Sequence, residues 1–150
     1  MKVFISVGSN IDPEANVPEA LKRLSREITI LRISAFHRTE PLNRPEQDPF
    51  LNGVVEAETS LDPRDLKFSV LRKIEAELGR ERSEDRYAAR TIDLDILLCG
   101  DLVIDEPDLK IPDPEIAERP FLAIPLHELD PDLVLPGTNL SLKEIVEGLE

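Results

Sequence analysis

The chain has no tryptophan, one tyrosine, one methionine and one cysteine among 150 residues. A single cysteine, Cys99, cannot form an internal disulfide. It reads as a small buried hydrophobe, and the cytoplasm is the expected compartment. No apolar run approaches the length of a membrane span. The opening MKVFISVGSN lacks the long apolar core and small-residue cleavage site of a secretory leader. Positive charge is also short: 18 Lys and Arg stand against 31 Asp and Glu, a formal net charge of -13. Such a surface repels phosphate backbones and anionic lipid, so neither nucleic acid nor membrane is an expected partner. Two glycine patterns are missing as well. Without GxxxxGK[ST] or GxGxxG the chain is neither a P-loop nor a Rossmann protein, and any nucleotide must be held by side chains.

What is present suits one domain over residues 1–150, with 41% hydrophobic and 33% charged residues. A monomer is expected. No repeat or long linker divides the chain. Residues 2–8 read as a strand closed by Gly8. Residues 16–26 read as a helix capped by Asn16, with Pro18 in its first turn and Val17, Leu21 and Leu24 on one face. Residues 28–39 read as a strand, and 40–49, with three prolines, as a loop. Residues 50–59 pair back as a second strand. Residues 62–78 form the clearest helix, capped by Ser60 or Asp62 and stopped by Gly79. An arginine-rich loop leads to a strand over 91–98. Gly100-Asp101 is expected to turn it into a hairpin with 102–104. A proline-rich segment and a short helix over 140–149 finish the chain. The order βαββαβ predicts an α+β, ferredoxin-like fold. An antiparallel sheet would carry helices on one face, with long loops and C-terminal elements left to cover the other.

The stretch TIDLDILLCG, residues 91–100, carries the chemistry. Residues two apart on a strand share a face, so Asp93 and Asp95 aim together while Ile92, Leu94 and Ile96 aim into the core. Adjacent carboxylates raise each other's proton affinity unless a cation lies between them. Magnesium takes one or two carboxylates plus substrate phosphates. The competing reading is a solvated strand face neutralised by Arg86 or Arg90. Residues 80–90 hold four arginines (Arg80, Arg82, Arg86, Arg90) against three acids, a local excess of cations in an acidic protein. Guanidiniums bind phosphate oxygens bidentately. Carboxylates beside an arginine loop therefore suit phosphoryl transfer, with charge neutralised from both sides.

The motifs RTIDLDILL (90–98), VGSN (7–10), SAFHRTEPL (34–42), FLNGVVEAET (50–59), IEAELGRER (74–82) and IPDPEIAERPFLAIPL (111–126) occur in that family's order and resemble those of the 6-hydroxymethyl-7,8-dihydropterin pyrophosphokinases. The resemblance covers nearly the whole chain. It implies transfer of pyrophosphate from ATP to the pterin hydroxymethyl group in folate biosynthesis, with release of AMP and help from two Mg²⁺ ions. Asp93 and Asp95 would be the magnesium ligands. Thr39, Pro41, Leu42, Phe50, Asn52 and Phe121 would hold the pterin, the two phenylalanines sandwiching its ring. Glu75, Arg82, Tyr87, Ile96 and Arg119 would bind ATP. Arg80 and Arg90 would act on the phosphates. The residue types suit these roles: a flat heterocycle with a polar edge fits two aromatic faces and one amide. The chain departs from the family at Asp113, where a histidine is common, at Tyr87, where a tryptophan is, and at His37, often an aromatic. Two rivals remain, a binding module without turnover and another metal-dependent transferase. Phe50, Asn52 and Phe121 argue against the second.

Overall fold

The computed structural model describes every residue of the chain except 41–43, 45, 81–88, 139 and 150. Four long strands form its centre: β1 (Lys2–Ser9), β2 (Thr29–Ile33), β4 (Phe50–Glu58) and β5 (Asp93–Cys99), with the short β3 (His37–Thr39) paired to β4. Their spatial order is β2-β4-β1-β5, and every pairing is antiparallel. This is the ferredoxin-like arrangement expected. The strand carrying the aspartates is at one edge of the sheet.

The expected strand over 28–39 is two strands. Register slips between Ile30 and Arg32, and the chain leaves the ladder at 34–36 before β3 resumes. Ser34 replaces the lost pairing: its backbone N–H donates to the Val54 carbonyl, and its Oγ accepts from Val54 N–H, both at 2.9 Å. Beneath this break the Phe36 ring lies against Gly53, where a Cβ would come within 2.6 Å of it.

Helix α1 (Pro13–Glu27) begins three residues earlier than the sequence suggested. Pro13 supplies the first turn, and Pro18 falls inside the helix. Asn16 is not the cap; its Nδ2 donates back to the Ile11 carbonyl at 2.6 Å. Buried Val17, Ala20 and Leu24 follow helical spacing and face the sheet. The second long helical stretch starts as α2 (Pro63–Asp65), passes through a π-helical segment (Leu66–Leu71) and continues as α3 (Arg72–Glu77). Asp62 caps it by accepting from Arg64 N–H at 2.9 Å. Gly79, with φ +84, takes the left-handed turn that ends it.

After β5 the expected hairpin partner at 102–104 does not form. Instead β6 (Ile104–Glu106) pairs with β7 (Leu109–Ile111) as a separate ribbon. Arg64 ties it to α2 through both oxygens of Asp108, at 3.0 and 2.8 Å. The proline-rich segment hides a 3₁₀ turn (Pro114–Ala117) and a helix, α4 (Pro120–Leu129). Pro120 and Pro125 obscured that helix. Pro120 sits where no N–H is needed, and Pro125 forfeits one bond to the first turn. The gain that offsets the loss is burial of Leu122, Ala123, Pro125, Leu126 and Leu129. Helix α5 (Leu142–Leu149) packs beside it.

Two cores result. One, between the sheet and α1 to α3, gathers Val3, Ile5, Leu24, Leu71, Leu94 and Ile96. The other, between the sheet and the C-terminal helices, gathers Phe4, Val54, Leu97, Leu126 and Leu142. The second face is thus covered by helices α4 and α5. Asp93 and Asp95 point to that second face, at its open end.

Candidate active site

Three strands build the floor of the site in one register row. Gly8 on β1 lies opposite Asn52 on β4 and opposite Asp93 on β5. The next row is Val54, Ser6 and Asp95. Strands about 4.8 Å apart put Asn52 and Asp93 roughly 10 Å from each other across the bare glycine. Gly8 is needed there: a Cβ would overlap Asn52 Oδ1. The Asn52 amide lies over this gap and donates to Thr39 Oγ1 at 2.5 Å. Phe50 is two residues from Asn52 and so shares its face, half-buried. Phe121, at the start of α4, packs partly buried against the second core. The structure therefore brings Thr39, Phe50, Asn52 and Phe121 to the same face of the sheet.

The aspartates differ in their surroundings. Asp93 receives Arg80 Nη1 on Oδ1 at 2.8 Å and Arg90 Nη1 on Oδ2 at 2.9 Å. Loss of bulk water pulls its pKa up, but the two guanidiniums outweigh this and hold it below the ordinary carboxylate value. Among the described residues Asp95 has one ion-pair partner, Arg72, at 3.4 Å. Desolvation, then the charge of Asp93, push its pKa up to about 7. A buried carboxylate beside a second one could hold a hard cation. Two carboxylates on one face are the donor set that magnesium takes when phosphates complete its shell. Among the described residues no cluster of three metal-ligating side chains occurs.

The outer edge of β5 is closed by side chains. Glu75 is 2% exposed. Its Oε2 accepts from the backbone N–H of Leu94 at 2.9 Å and from Arg80 at 2.6 Å, and its Oε1 from Arg72 at 3.0 Å. Arg72 also donates to the Leu94 carbonyl at 3.0 Å, and Arg80 to that of Ile92 at 3.3 Å. Farther along, Asp113 N–H meets the Leu97 carbonyl at 3.0 Å. These bonds fix the backbone on which both aspartates stand.

Beside this edge lies a cavity of about 480 Å³ lined by Lys67, Phe68, Arg72, Glu75, Ala76, Arg80 and Asp108. That volume suits a drug-sized or nucleotide-sized ligand. Lys67 and Phe68 belong to the π-helical segment, and such segments recur at functional sites. Phe68 keeps 44% of its surface exposed. Of the residues expected to bind ATP, Glu75 lines this cavity, while Ile96 is 6% exposed in the helix-side core. Arg119 precedes α4, and its buried Nε has no hydrogen-bond partner among the described residues. Arg82, Tyr87, Pro41 and Leu42 lie outside the described residues. Lys67, Phe68, Arg72 and Asp108 escaped the sequence reading. An exposed phenylalanine on the polar side of an amphipathic helix was the one available signal.

Asp113 is the N-cap of the 3₁₀ turn, its Oδ1 accepting from Glu115 N–H at 2.9 Å. Desolvation pushes its pKa up to about 6.

A family model described as 7,8-dihydro-6-hydroxymethylpterin-pyrophosphokinase matches residues 4–131. A 2-amino-4-hydroxy-6-hydroxymethyldihydropteridine pyrophosphokinase of Pseudomonas aeruginosa is 39% identical over 138 residues, covering 90% of this chain and 84% of the relative. A folate synthesis bifunctional protein of Arabidopsis thaliana is 40% identical over 130 residues, 85% of this chain but 27% of that longer protein. Among solved structures, Plasmodium falciparum HPPK-DHPS superimposes with a TM-score of 0.74 at 13% identity. It covers 99% of this chain and 42% of that one, a likeness of fold.

Proposed function

The chain belongs to the 7,8-dihydro-6-hydroxymethylpterin-pyrophosphokinase family, and from that premise we propose that it moves the pyrophosphoryl group of ATP onto the hydroxymethyl oxygen of 6-hydroxymethyl-7,8-dihydropterin, releasing AMP. The observation that carries this reading is the row Asn52–Gly8–Asp93. It sets a heterocycle-reading amide and a phosphate-handling carboxylate on one face, a small molecule's length apart.

Asn52 offers both a donor and an acceptor to the polar edge of the pterin, with Phe50 and Phe121 flanking its ring. The bare Gly8 leaves room for the hydroxymethyl arm to lie toward Asp93. ATP occupies the cavity beside β5, with its phosphates toward Arg80. Asp93 and Asp95 would hold the magnesium, two ions being expected; bound there, it neutralises phosphate charge and orients the oxygens. Arg80 and Arg90, now paired to Asp93, exchange that carboxylate for phosphate oxygens. They stabilise charge as the bond from the β-phosphorus to the α,β-bridging oxygen breaks and the bond to the hydroxymethyl oxygen forms. The hydroxyl proton leaves as that bond forms, and AMP departs with the bridging oxygen.

The test is AMP release from ATP and the dihydropterin in the presence of Mg²⁺. Stoichiometric AMP and a pterin diphosphate are expected. ADP instead of AMP would mean a different phosphoryl transfer, and a rate unaffected by the pterin would remove it as acceptor.

A further inference from the structure

Asn10 is a buried polar residue, 3% exposed. Its side chain is consumed by hydrogen bonds to two separate segments. Oδ1 accepts from the backbone N–H of Arg90 at 2.8 Å. Nδ2 donates to Gln47 Oε1 at 3.1 Å and to the Asp48 carbonyl at 3.2 Å. Its own N–H and that of Ile11 both donate to the Arg90 carbonyl at 3.2 Å. The peptide groups on both sides of Arg90 are therefore held by the end of β1. Arg90 in turn places its guanidinium on Asp93. Asp48 lies two residues before Phe50, where β4 begins.

One buried amide thus joins the backbone that aims a phosphate-facing arginine to the backbone that presents the ring-flanking phenylalanine. We propose that Asn10 is a positioning residue that couples the two substrate sites, so that ordering one lowers the cost of ordering the other. It touches neither substrate. The inference rests on the activity proposed above and adds a route by which the two sites sense each other. Its chemistry is specific. An amide supplies two donors and an acceptor at one position, and no other side chain of that size does. A cap or turn asparagine would satisfy one segment; this one satisfies two.

Two variants separate the two directions. Asn10→Asp keeps an oxygen for Arg90 N–H but removes both donors. Gln47 Oε1 and the Asp48 carbonyl then lose the donor that Asn10 supplies. Asn10→Ala removes all three bonds. The measurement is pterin affinity by titration calorimetry, with and without Mg²⁺ and a non-hydrolysable ATP analogue, beside steady-state kinetics and a thermal melt. In the wild type the analogue should tighten pterin binding, and by linkage the pterin should tighten the analogue by the same factor. Asn10→Asp should raise the KM for pterin with a smaller change in kcat. Asn10→Ala should lower kcat about tenfold or more, the scale of two or three lost hydrogen bonds, and bring the coupling factor close to one. Gln47→Ala, which leaves the buried amide in place, supplies the test should Asn10→Ala fail to fold: it should weaken coupling partially. An unaltered coupling factor in folded Asn10→Ala, or in Gln47→Ala where Asn10→Ala does not fold, overturns the proposal, as does a wild type whose sites bind independently. Failure of AMP release would remove the proposed activity, while the coupling is read from binding and stands or falls separately.

Discussion

Glu75 Oε2 accepts the backbone N–H of Leu94 at 2.9 Å, and Leu94 is the residue between the two aspartates. A carboxylate on α3 thus holds the middle of the strand whose flanking side chains face the site. It also anchors Arg72 and Arg80. Glu75→Ala should lower the stability of the free protein by about 1–3 kcal/mol, the cost of leaving buried donors unpaired. It should also lower kcat. Glu75→Gln, which keeps one acceptor, should recover part of both losses. Denaturant unfolding and AMP release on the same samples check this. An alanine variant as stable as wild type would show that the buried bonds do not hold the strand.

The aspartate pair should separate activity from stability. Asp93→Asn or Asp95→Asn should lose at least roughly 100-fold in turnover, the scale for one preorganised electrostatic group. Their unliganded stabilities should diverge. Asp93 is charged and satisfied by Arg80 and Arg90, so its loss destabilises. Asp95 is a strained acid, so Asp95→Asn should be neutral or stabilising at neutral pH. Near-wild-type turnover in either variant would refute the assignment of these side chains to the metal.

Gly8→Ala tests the register row. The added methyl displaces the Asn52 amide rather than the backbone, since Asn52 Oδ1 is its nearest neighbour. The KM for pterin should rise about tenfold or more while the KM for ATP changes little, with a stability loss of about 1–3 kcal/mol typical of overpacking. Equal effects on both substrates would mean a general distortion of the floor.

Asp113 sets a pH dependence. Its folded pKa of about 6 lies above the ordinary value of 3.8, because desolvation disfavours the charge. The folded state therefore holds the proton more tightly than the unfolded chain. The contribution to stability is full below about pH 4 and is lost as pH rises through about 6. Asp113→Asn keeps an N-cap acceptor and removes the titration. It should flatten that segment of the stability–pH curve and raise stability at pH 8 by about 1–2 kcal/mol. It should also tighten nucleotide binding by removing a negative charge near Asp93. A variant with an unchanged pH profile would contradict this.

Strand alternation, helix spacing and D-x-D geometry sufficed for β1, β4 and β5, for the body of α1 and for the facing of Asp93 and Asp95, because these depend on local periodicity; the break at 34–36 and the early start of α1 depend on contacts farther away. Helix α4 was hidden because Pro125 reads as a breaker locally, and only burial against the sheet overrides that. Residues 102–104 were expected to pair back on β5, and instead Ile104–Glu106 pairs with Leu109–Ile111, because a turn signal at Gly100 does not say which strand pairs next. Phe50, Asn52 and the aspartates were singled out by motif, and the structure brings them to one face of the sheet. The cavity residues Lys67, Phe68 and Arg72 were not, since their role depends on where a helix meets the free side of a strand. Asn10 carried no local signal of its contacts, because its partners are 37 and 80 positions away.

The sealed outer side of β5 has a consequence for solubility. An unpaired strand offers its amides and carbonyls to any passing chain, and proteins guard against that. Here the guard is made of Arg72, Glu75 and Arg80, two of which also serve the proposed chemistry. Disabling substitutions at Glu75 or Arg80 should therefore expose a sticky ladder and impair catalysis together. In a cell, many inactive variants of this enzyme would be seen first as aggregates.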